Sequence, residues 1–114
     1  MKINTEIQNG IAVIKLNGKL LGGPPASDDI KNQVYSLLDD GVKKIVIDLE
    51  KVSRMNSSGL GILIASLTSI KNRDGELLLA SVNETMEGVM VMTKLDSIFT
   101  IHKTAQDATN AFSS

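Results

Sequence analysis

The stretch of residues 55–61, Met-Asn-Ser-Ser-Gly-Leu-Gly, is the strongest candidate for chemistry in this sequence. It contains two adjacent hydroxyl side chains and two glycines. A hydrophobic run ends shortly before it, and an apolar segment with helical spacing, residues 62–70, follows it. The pattern predicts a strand followed directly by a helix. An exposed helix N-terminus of this kind offers free backbone N–H groups to a phosphate, a carbonyl or the backbone of another protein.

The two glycines of this stretch need an explanation that helix capping does not provide. Serine is favoured at helix starts, so capping alone explains Ser57 or Ser58. Gly59 and Gly61 fall in the first helical turn, where each costs up to about 1 kcal/mol relative to alanine. Close packing of the helix against the sheet would explain them, and so would the close approach of another chain. The sequence leaves both explanations open.

Other groups that are capable of chemistry have simpler structural explanations. His102 is the only histidine, and no serine or cysteine nucleophile is obviously paired with it, so we interpret it as a solvated loop residue. The acid pairs Asp28-Asp29 and Asp39-Asp40 lie at the two ends of one predicted helix. Capping and solvation explain these acids better than metal binding or paired-carboxylate catalysis does. We therefore predict no catalytic residue, no metal site and no cofactor.

A glycine- and proline-rich loop and a group of methionines are weaker candidates. The loop Gly22-Gly23-Pro24-Pro25 has no P-loop lysine and does not match a dinucleotide-binding pattern, so we expect a turn in which Gly22 and Gly23 contribute to a partner surface. Met86 and Met90 have helical spacing. We expect them to fill the core and not to form an adaptable binding surface with Met92.

Composition bounds the possible functions. The chain has 114 residues, no cysteine and a formal net charge of -1. We expect one domain over residues 1–114, with no disulfides and no electrostatic footprint for nucleic acid. The longest apolar run is far below the roughly 18–20 residues that span a bilayer, and the N-terminus lacks a cleavable signal pattern. These features predict a cytoplasmic protein that neither binds nucleic acid nor inserts into a membrane.

Strand and helix signals alternate along the chain and place the serine stretch. Asn9-Gly10 separates two β-prone runs, residues 3–7 and 11–16, and predicts an antiparallel hairpin. The run of residues 42–49 predicts a strand that is buried on both faces at the centre of the sheet. The later predicted elements are a strand at Glu76–Ala80, a helix capped by Ser81 or Asn83, a strand at residues 95–101 and a helix opened by Thr104 and Asp107.

The order of these elements predicts the fold class. It reads β-β-α-β-α-β-α-β-α, with one helix capped by Ser27 and ended by Gly41, and another ended by Asp74-Gly75. Alternating strands and helices require parallel pairings with right-handed crossovers. We therefore predict an α/β fold in which a mixed β-sheet of about five strands, an antiparallel N-terminal hairpin followed by βαβ units, is combined with about four helices.

The serine stretch and its flanks resemble a known family signature. Val46-Ile47-Asp48-Leu49, then Val52, then residues 56–63 look like the signature of the STAS domain family, the anti-sigma factor antagonists, whose usual form is Asp-Ser-[Ser/Thr]-Gly-x-Gly. The earlier Val13-x-x-Leu16-x-Gly18-x-Leu20 is similar to the family's second strand, and the order of elements agrees over nearly the whole chain. The resemblance implies a single STAS domain over residues 1–114 that acts as a protein-binding switch and not as an enzyme.

The resemblance also implies partners and a switch residue. In bacterial members, a serine kinase that is also an anti-sigma factor phosphorylates the first hydroxyl residue after the acidic one. That residue corresponds to Ser57, with Ser58 as second choice. The unphosphorylated antagonist binds the anti-sigma factor and frees the sigma factor, and a PP2C-type phosphatase restores this form. The implied partner-binding residues, among which we expect exposed Leu60 or Met55 to give apolar contact, are Met55, Asn56, Ser57, Ser58, Gly59, Leu60, Gly61, Gly22 and Gly23.

Two residues depart from the family pattern and leave an alternative open. Asn56 stands where the family usually has Asp, and Leu21 stands where many kinase substrates of the family have an acidic residue. Members without the full acidic pattern often serve as non-phosphorylated interaction modules in signalling complexes or lipid-transport machines. A constitutive module of that kind is the alternative function.

Overall fold

A mixed sheet with helices on both faces forms the framework of the computed structural model, which describes residues 1–113. The strands are β1 Lys2–Gln8, β2 Ile11–Leu20, β3 Lys44–Met55, β4 Glu76–Ala80 and β5 Thr100–His102. The helices are α1 Ala26–Asp39, α2 Ser57–Asn72, α3 Glu84–Met92 and α4 Ala105–Ser113. The sheet order is β1-β2-β3-β4-β5, with β1 antiparallel to β2 and every other pair parallel. This arrangement confirms the predicted fold class.

The N-terminal hairpin forms because its turn residues accept left-handed backbone angles. Asn9 and Gly10 have φ values of 54° and 78°, and the pairing of β1 with β2 continues up to Gln8 and Ile11 on either side of them. Positive φ at both central residues is what a tight two-residue hairpin turn requires. The predicted hairpin is confirmed.

Successive side chains along each strand point to opposite faces of the sheet, and both faces are apolar. One face lies under α1, α2 and α3 and contains most of the core. The other lies under α4 and contains Ile11, Val13, Val46 and Ala80, packed against Ala108 and Phe112. β3 is the central strand and is buried from Ile45 to Leu49, as its unbroken apolar run predicts.

β2 and β3 are longer than their sequence signals, and this extra length carries the chain to the serine stretch. β2 continues past Leu16 to Leu20, and β3 continues past Leu49 to Met55. The two ends pair in parallel, with Leu20 opposite Met55. The predicted ends of β2 and β3 are therefore wrong. The extension of β3 buries only Val52, so it lacks the continuous hydrophobic run from which a strand could be predicted.

Helix starts are predicted with mixed success. Asn83 and Thr104 cap their helices through hydrogen bonds of 2.8 Å from Met86 N and 3.0 Å from Asp107 N, as expected. Ser27, in contrast, is not an N-cap. α1 begins earlier, after Pro25, whose backbone is already close to helical at φ -85° and ψ -10°, and there is no side-chain capping bond.

The segment predicted as the last strand is mostly a turn. Lys94 adopts a left-handed conformation with φ 62°, and Leu95–Ser97 form a 3-10 turn. The Ser97 hydroxyl closes this turn by donating to the Lys94 carbonyl at 2.7 Å. β5 therefore begins only at Thr100, and His102 ends it as a partly buried strand residue, so its interpretation as a loop residue is wrong.

The methionines differ in burial, and the described helices differ from membrane spans in length or apolar character. Met86 and Met90 are 2% and 0% exposed and fill the core, as their spacing predicts, whereas Met92 is exposed. Within residues 1–113, no helix is both long enough and apolar enough to cross a bilayer.

Candidate functional site

The serine stretch lies where the carboxyl end of β3 turns directly into α2. Asn56 is the N-cap in an extended conformation, and its Oδ1 accepts a hydrogen bond from Gly59 N at 2.8 Å. The Asn56 carbonyl accepts the first intrahelical bond, from Leu60 N at 2.9 Å. The neutral amide thus gives the capping contact that an aspartate would give, and the first turn of α2 carries no acidic residue.

Ser57 and Ser58 occupy the first two positions of α2, and both are exposed. Among residues 1–113, neither hydroxyl has a hydrogen-bond partner. Backbone N–H groups at the first positions of a helix have no intrahelical acceptor, and the helix dipole adds positive potential there. A negative charge placed on either serine would therefore be stabilised by its own helix.

Gly59 is explained by close packing within the chain. A Cβ atom at this position would overlap the Leu20 carbonyl oxygen and would lie 2.7 Å from the Leu20 carbonyl carbon. The Asn56 N–H also approaches the same oxygen, at 3.4 Å. The start of α2 therefore rests directly on the end of β2, and no side chain fits between them.

Gly61 has no such explanation. It is exposed, and a Cβ atom there would meet nothing within 4 Å. An exposed glycine inside a helix costs about 1 kcal/mol relative to alanine. Of the two explanations that the sequence left open, packing therefore applies to Gly59 and does not apply to Gly61.

Gly61 opens onto a groove of about 380 Å³ between α1 and α2, called here the α1–α2 groove. Asp28, Lys31 and Tyr35 line it from α1, and Lys31 Nζ lies 5.6 Å from the centroid of the Tyr35 ring. Ser58, Gly61 and Ile62 line it from α2. At its far end the Ser69 hydroxyl meets the Tyr35 hydroxyl at 3.5 Å, and an Arg73–Asp39 ion pair joins the two helices.

The loop of residues 21–25 between β2 and α1, called here the Gly22 loop, borders the serines on another side. Gly22 has φ +82°, and a Cβ atom on it would lie 2.5 Å from Ser58 Cβ. Gly23 has φ +75° and nothing within 4 Å of an added Cβ. Leu21, at the start of the loop, is 43% exposed. The structure thus brings Gly22 against the serine stretch and leaves Gly23 facing open space.

Two expectations about apolar contacts change. The expected exposure of Leu60 is wrong, since this side chain is only 3% exposed and packs in the main core on the sheet-facing side of α2. Met55 is partly buried. Leu21 and Ile62 instead provide apolar surface near the serines.

Asp28, Lys31 and Tyr35 are site residues that the sequence reasoning missed. The spacing of Lys31 and Tyr35 places them on one exposed face of α1, and this is the only available sequence signal. It does not reveal that this face lies beside α2, because helix pairing is a tertiary property.

The site combines side-chain hydroxyls with backbone N–H donors beside a groove. Two hydroxyls, free N–H groups and a groove are present, and the one histidine lies in β5. Among the described residues, no group of three or more His, Asp or Glu side chains is placed to hold a metal ion. The arrangement can accept a phosphate and can present a surface to a partner.

A family model and several curated relatives match this chain. The model of the STAS domain matches residues 2–108. An anti-sigma-B factor antagonist of Staphylococcus aureus is 24% identical over 103 residues, which cover 90% of this chain and 94% of that protein.

Solved structures show the same fold. The crystal structure of a candidate anti-sigma factor antagonist from Thermotoga maritima superposes with a TM-score of 0.84 at 28% identity, covering 96% of this chain and 92% of that one. The phosphorylated form of the Bacillus cell fate determinant SpoIIAA superposes with a TM-score of 0.74 at 22% identity, covering 97% and 99%. Because the family model spans residues 2–108, this chain belongs to the STAS domain family.

Proposed function

We propose that this protein is an anti-sigma factor antagonist. It binds a serine-kinase anti-sigma factor through the surface around the start of α2 and thereby releases a sigma factor. The names of its relatives in the family support this proposal. The observation that carries it is the exposed Ser57 hydroxyl at the first position of α2, which has no hydrogen-bond partner among residues 1–113.

Reversible phosphorylation of Ser57 is the proposed switch. Phosphoserine adds about -1.5 to -2 charges at neutral pH, and at a helix N-terminus this charge meets free N–H groups and the positive end of the dipole. The first turn of α2 contains no acidic residue that would repel it. The phosphate is therefore compatible with the fold, and its charge and volume act on any partner that packs against Ser57.

The partner surface is made of small and apolar groups beside the acceptor. Gly61 leaves space for a close approach to α2, and exposed Leu21 offers apolar contact on the other side of the serines. Asn56, Ser58 and the Gly22 loop complete this surface. Gly59 and Leu60 support it from beneath, because both are buried.

The proposal assigns the chemistry to the partners. The anti-sigma factor supplies the kinase site and ATP, and a PP2C-type phosphatase removes the phosphate from the exposed serine. The STAS domain over residues 1–114 acts as the substrate and ligand of these proteins, in the cytoplasm.

Intact-mass measurement tests the switch. The protein is incubated with its cognate serine-kinase anti-sigma factor and ATP, beside the Ser57→Ala and Ser58→Ala variants. We expect one added phosphate on the wild type and on Ser58→Ala, and none on Ser57→Ala. Absence of phosphate from the wild type, or equal labelling of Ser57→Ala, contradicts the switch.

Two observations favour a second candidate function, a constitutive interaction module. The neutral Asn56 caps α2 without a charge, and the exposed Leu21 stands where many kinase substrates of the family have an acidic residue. A module of this kind binds its partner equally well with Ser57 and with Ser57→Asp, whereas the switch predicts strong weakening by Ser57→Asp.

A further inference from the structure

Within the Gly22 loop, the Gly22 backbone lies against the second of the two adjacent serines. The three atoms nearest to a Cβ atom on Gly22 all belong to Ser58. We propose that this loop restricts phosphoryl transfer to Ser57, with Gly22 as the residue that determines the choice of acceptor. This inference rests on the proposed function, because it requires that a kinase acts on the serine stretch.

The contact with Ser58 is close and fixed. A Cβ atom on Gly22 would lie 2.5 Å from Ser58 Cβ, 3.0 Å from Ser58 C and 3.2 Å from Ser58 O, so only glycine fits here. The loop is held at both ends. Leu20 before it is fully buried and pairs with Met55, and after it Ser27 N donates to the Gly23 carbonyl at 3.1 Å.

Phosphoryl transfer needs free space around the acceptor oxygen. The serine Oγ attacks the γ-phosphorus of the kinase-bound ATP, the new O–P bond forms while the bond to the ADP oxygen breaks, and the hydroxyl proton passes to a base of the kinase. The attacking and leaving oxygens must be roughly in line. Gly22 lies beside Ser58 Cβ, the carbon that carries this oxygen, and so narrows the directions from which ATP can reach it; none of the three atoms nearest to a Cβ atom on Gly22 belongs to Ser57.

Electrostatic repulsion also disfavours a phosphate on Ser58. Ser58 lines the α1–α2 groove together with Asp28, and Ser57 does not line it. A phosphate on Ser58 would place about -1.5 to -2 charges in the groove with that carboxylate. Lys31 lines the groove as well, with its ammonium over the Tyr35 ring, and offsets part of this repulsion. The steric contact of Gly22 is therefore the main cause and the charge of Asp28 a secondary one.

A gain of phosphorylation on Ser58 tests the inference. In the Ser57→Ala background, Gly22→Ala places a Cβ atom 2.5 Å from Ser58 Cβ, so the loop and Ser58 must move apart. The matched control is Gly23→Ala in the same background, because Gly23 has a similar φ of +75° but nothing within 4 Å. Each variant is incubated with the cognate kinase and ATP, and the phosphate is located by fragment mass spectrometry.

We expect Ser57→Ala and Ser57→Ala/Gly23→Ala to show only background labelling. Ser57→Ala/Gly22→Ala should gain phosphate on Ser58 at a rate at least about tenfold above that background. Ser57→Ala/Pro25→Gly is a second variant that loosens the loop without adding an atom. This variant should show the same gain of phosphate on Ser58. It replaces Gly22→Ala in the test if circular dichroism shows that Gly22→Ala does not fold.

The outcomes separate this inference from the proposed function. If the wild type is labelled on Ser57 and neither loosened variant gains phosphate on Ser58, the role of the loop is overturned and the switch stands. Labelling of both serines in the wild type also overturns it. If the wild type takes up no phosphate, the proposed switch fails first, and the inference fails with it.

Discussion

Replacing Gly61 with alanine separates what the fold requires from what a partner requires. The added methyl group meets no atom within 4 Å, so the change has no steric penalty in the free protein. α2 begins at Ser57, so Gly61 lies in its second turn and not in the first turn that the sequence predicts. Alanine is favoured over glycine there by about 0.5–1 kcal/mol. Gly61→Ala should therefore raise the free energy of unfolding by that amount and the Tm by about 2–4 °C.

The same methyl group should weaken the complex with the anti-sigma factor. If another chain packs closely on Gly61, an extra carbon in that contact costs about 1–3 kcal/mol, which raises Kd between about fivefold and about 150-fold. Urea unfolding measures the first effect, and titration calorimetry with the anti-sigma factor measures the second. A variant that is more stable yet binds more weakly is the expected result.

Gly88→Ala is the matched control for this experiment. Gly88 is also an exposed helical glycine with nothing within 4 Å of an added Cβ, but it lies in α3. It should give a similar gain in stability and leave Kd unchanged. The reasoning is refuted if Gly61→Ala binds as tightly as the wild type, or if Gly61→Ala is less stable than the wild type.

Two further substitutions test the geometry of the α2 start. Gly59→Ala should lower the free energy of unfolding by about 1–3 kcal/mol, because its Cβ overlaps the Leu20 carbonyl oxygen. An unchanged midpoint of urea unfolding would show that α2 does not rest on the end of β2. Asn56→Ala removes the hydrogen bond to Gly59 N and should lower stability by about 1 kcal/mol, while Asn56→Asp keeps the cap and should be at least as stable as the wild type in the same unfolding assay. Equal loss in both Asn56 variants would contradict a capping role.

The parts of the fold that the sequence predicts are those with local causes. Asn9-Gly10 forces a tight turn whatever surrounds it, and the apolar run of β3 must be buried. Asn83 and Thr104 cap their helices through contacts within three residues. The extensions of β2 and β3 escape prediction because they are held by pairing with each other and not by a hydrophobic run.

The features of the site also divide into those with local causes and those that depend on tertiary contacts. The place of the serines at a helix start follows from the local sequence, the apolar run of residues 42–49 before them and the helical spacing of residues 62–70 after them. Gly59 and Gly61 are alike in sequence, yet one is required by the Leu20 carbonyl and the other faces open space. That difference, the contact of Gly22 with Ser58 and the α1–α2 groove all depend on which elements lie side by side. Such contacts join residues that are distant in sequence, so no local pattern reveals them.

The central claim is that a phosphate on Ser57 controls partner binding, and the most direct measurement compares two affinities. The anti-sigma factor is titrated with the unphosphorylated protein and with the protein carrying phosphate on Ser57 only, and circular dichroism verifies that both are folded. We predict that the phosphate raises Kd at least about tenfold, which corresponds to about 1.4 kcal/mol, without loss of structure. Equal affinities for the two forms would contradict the switch.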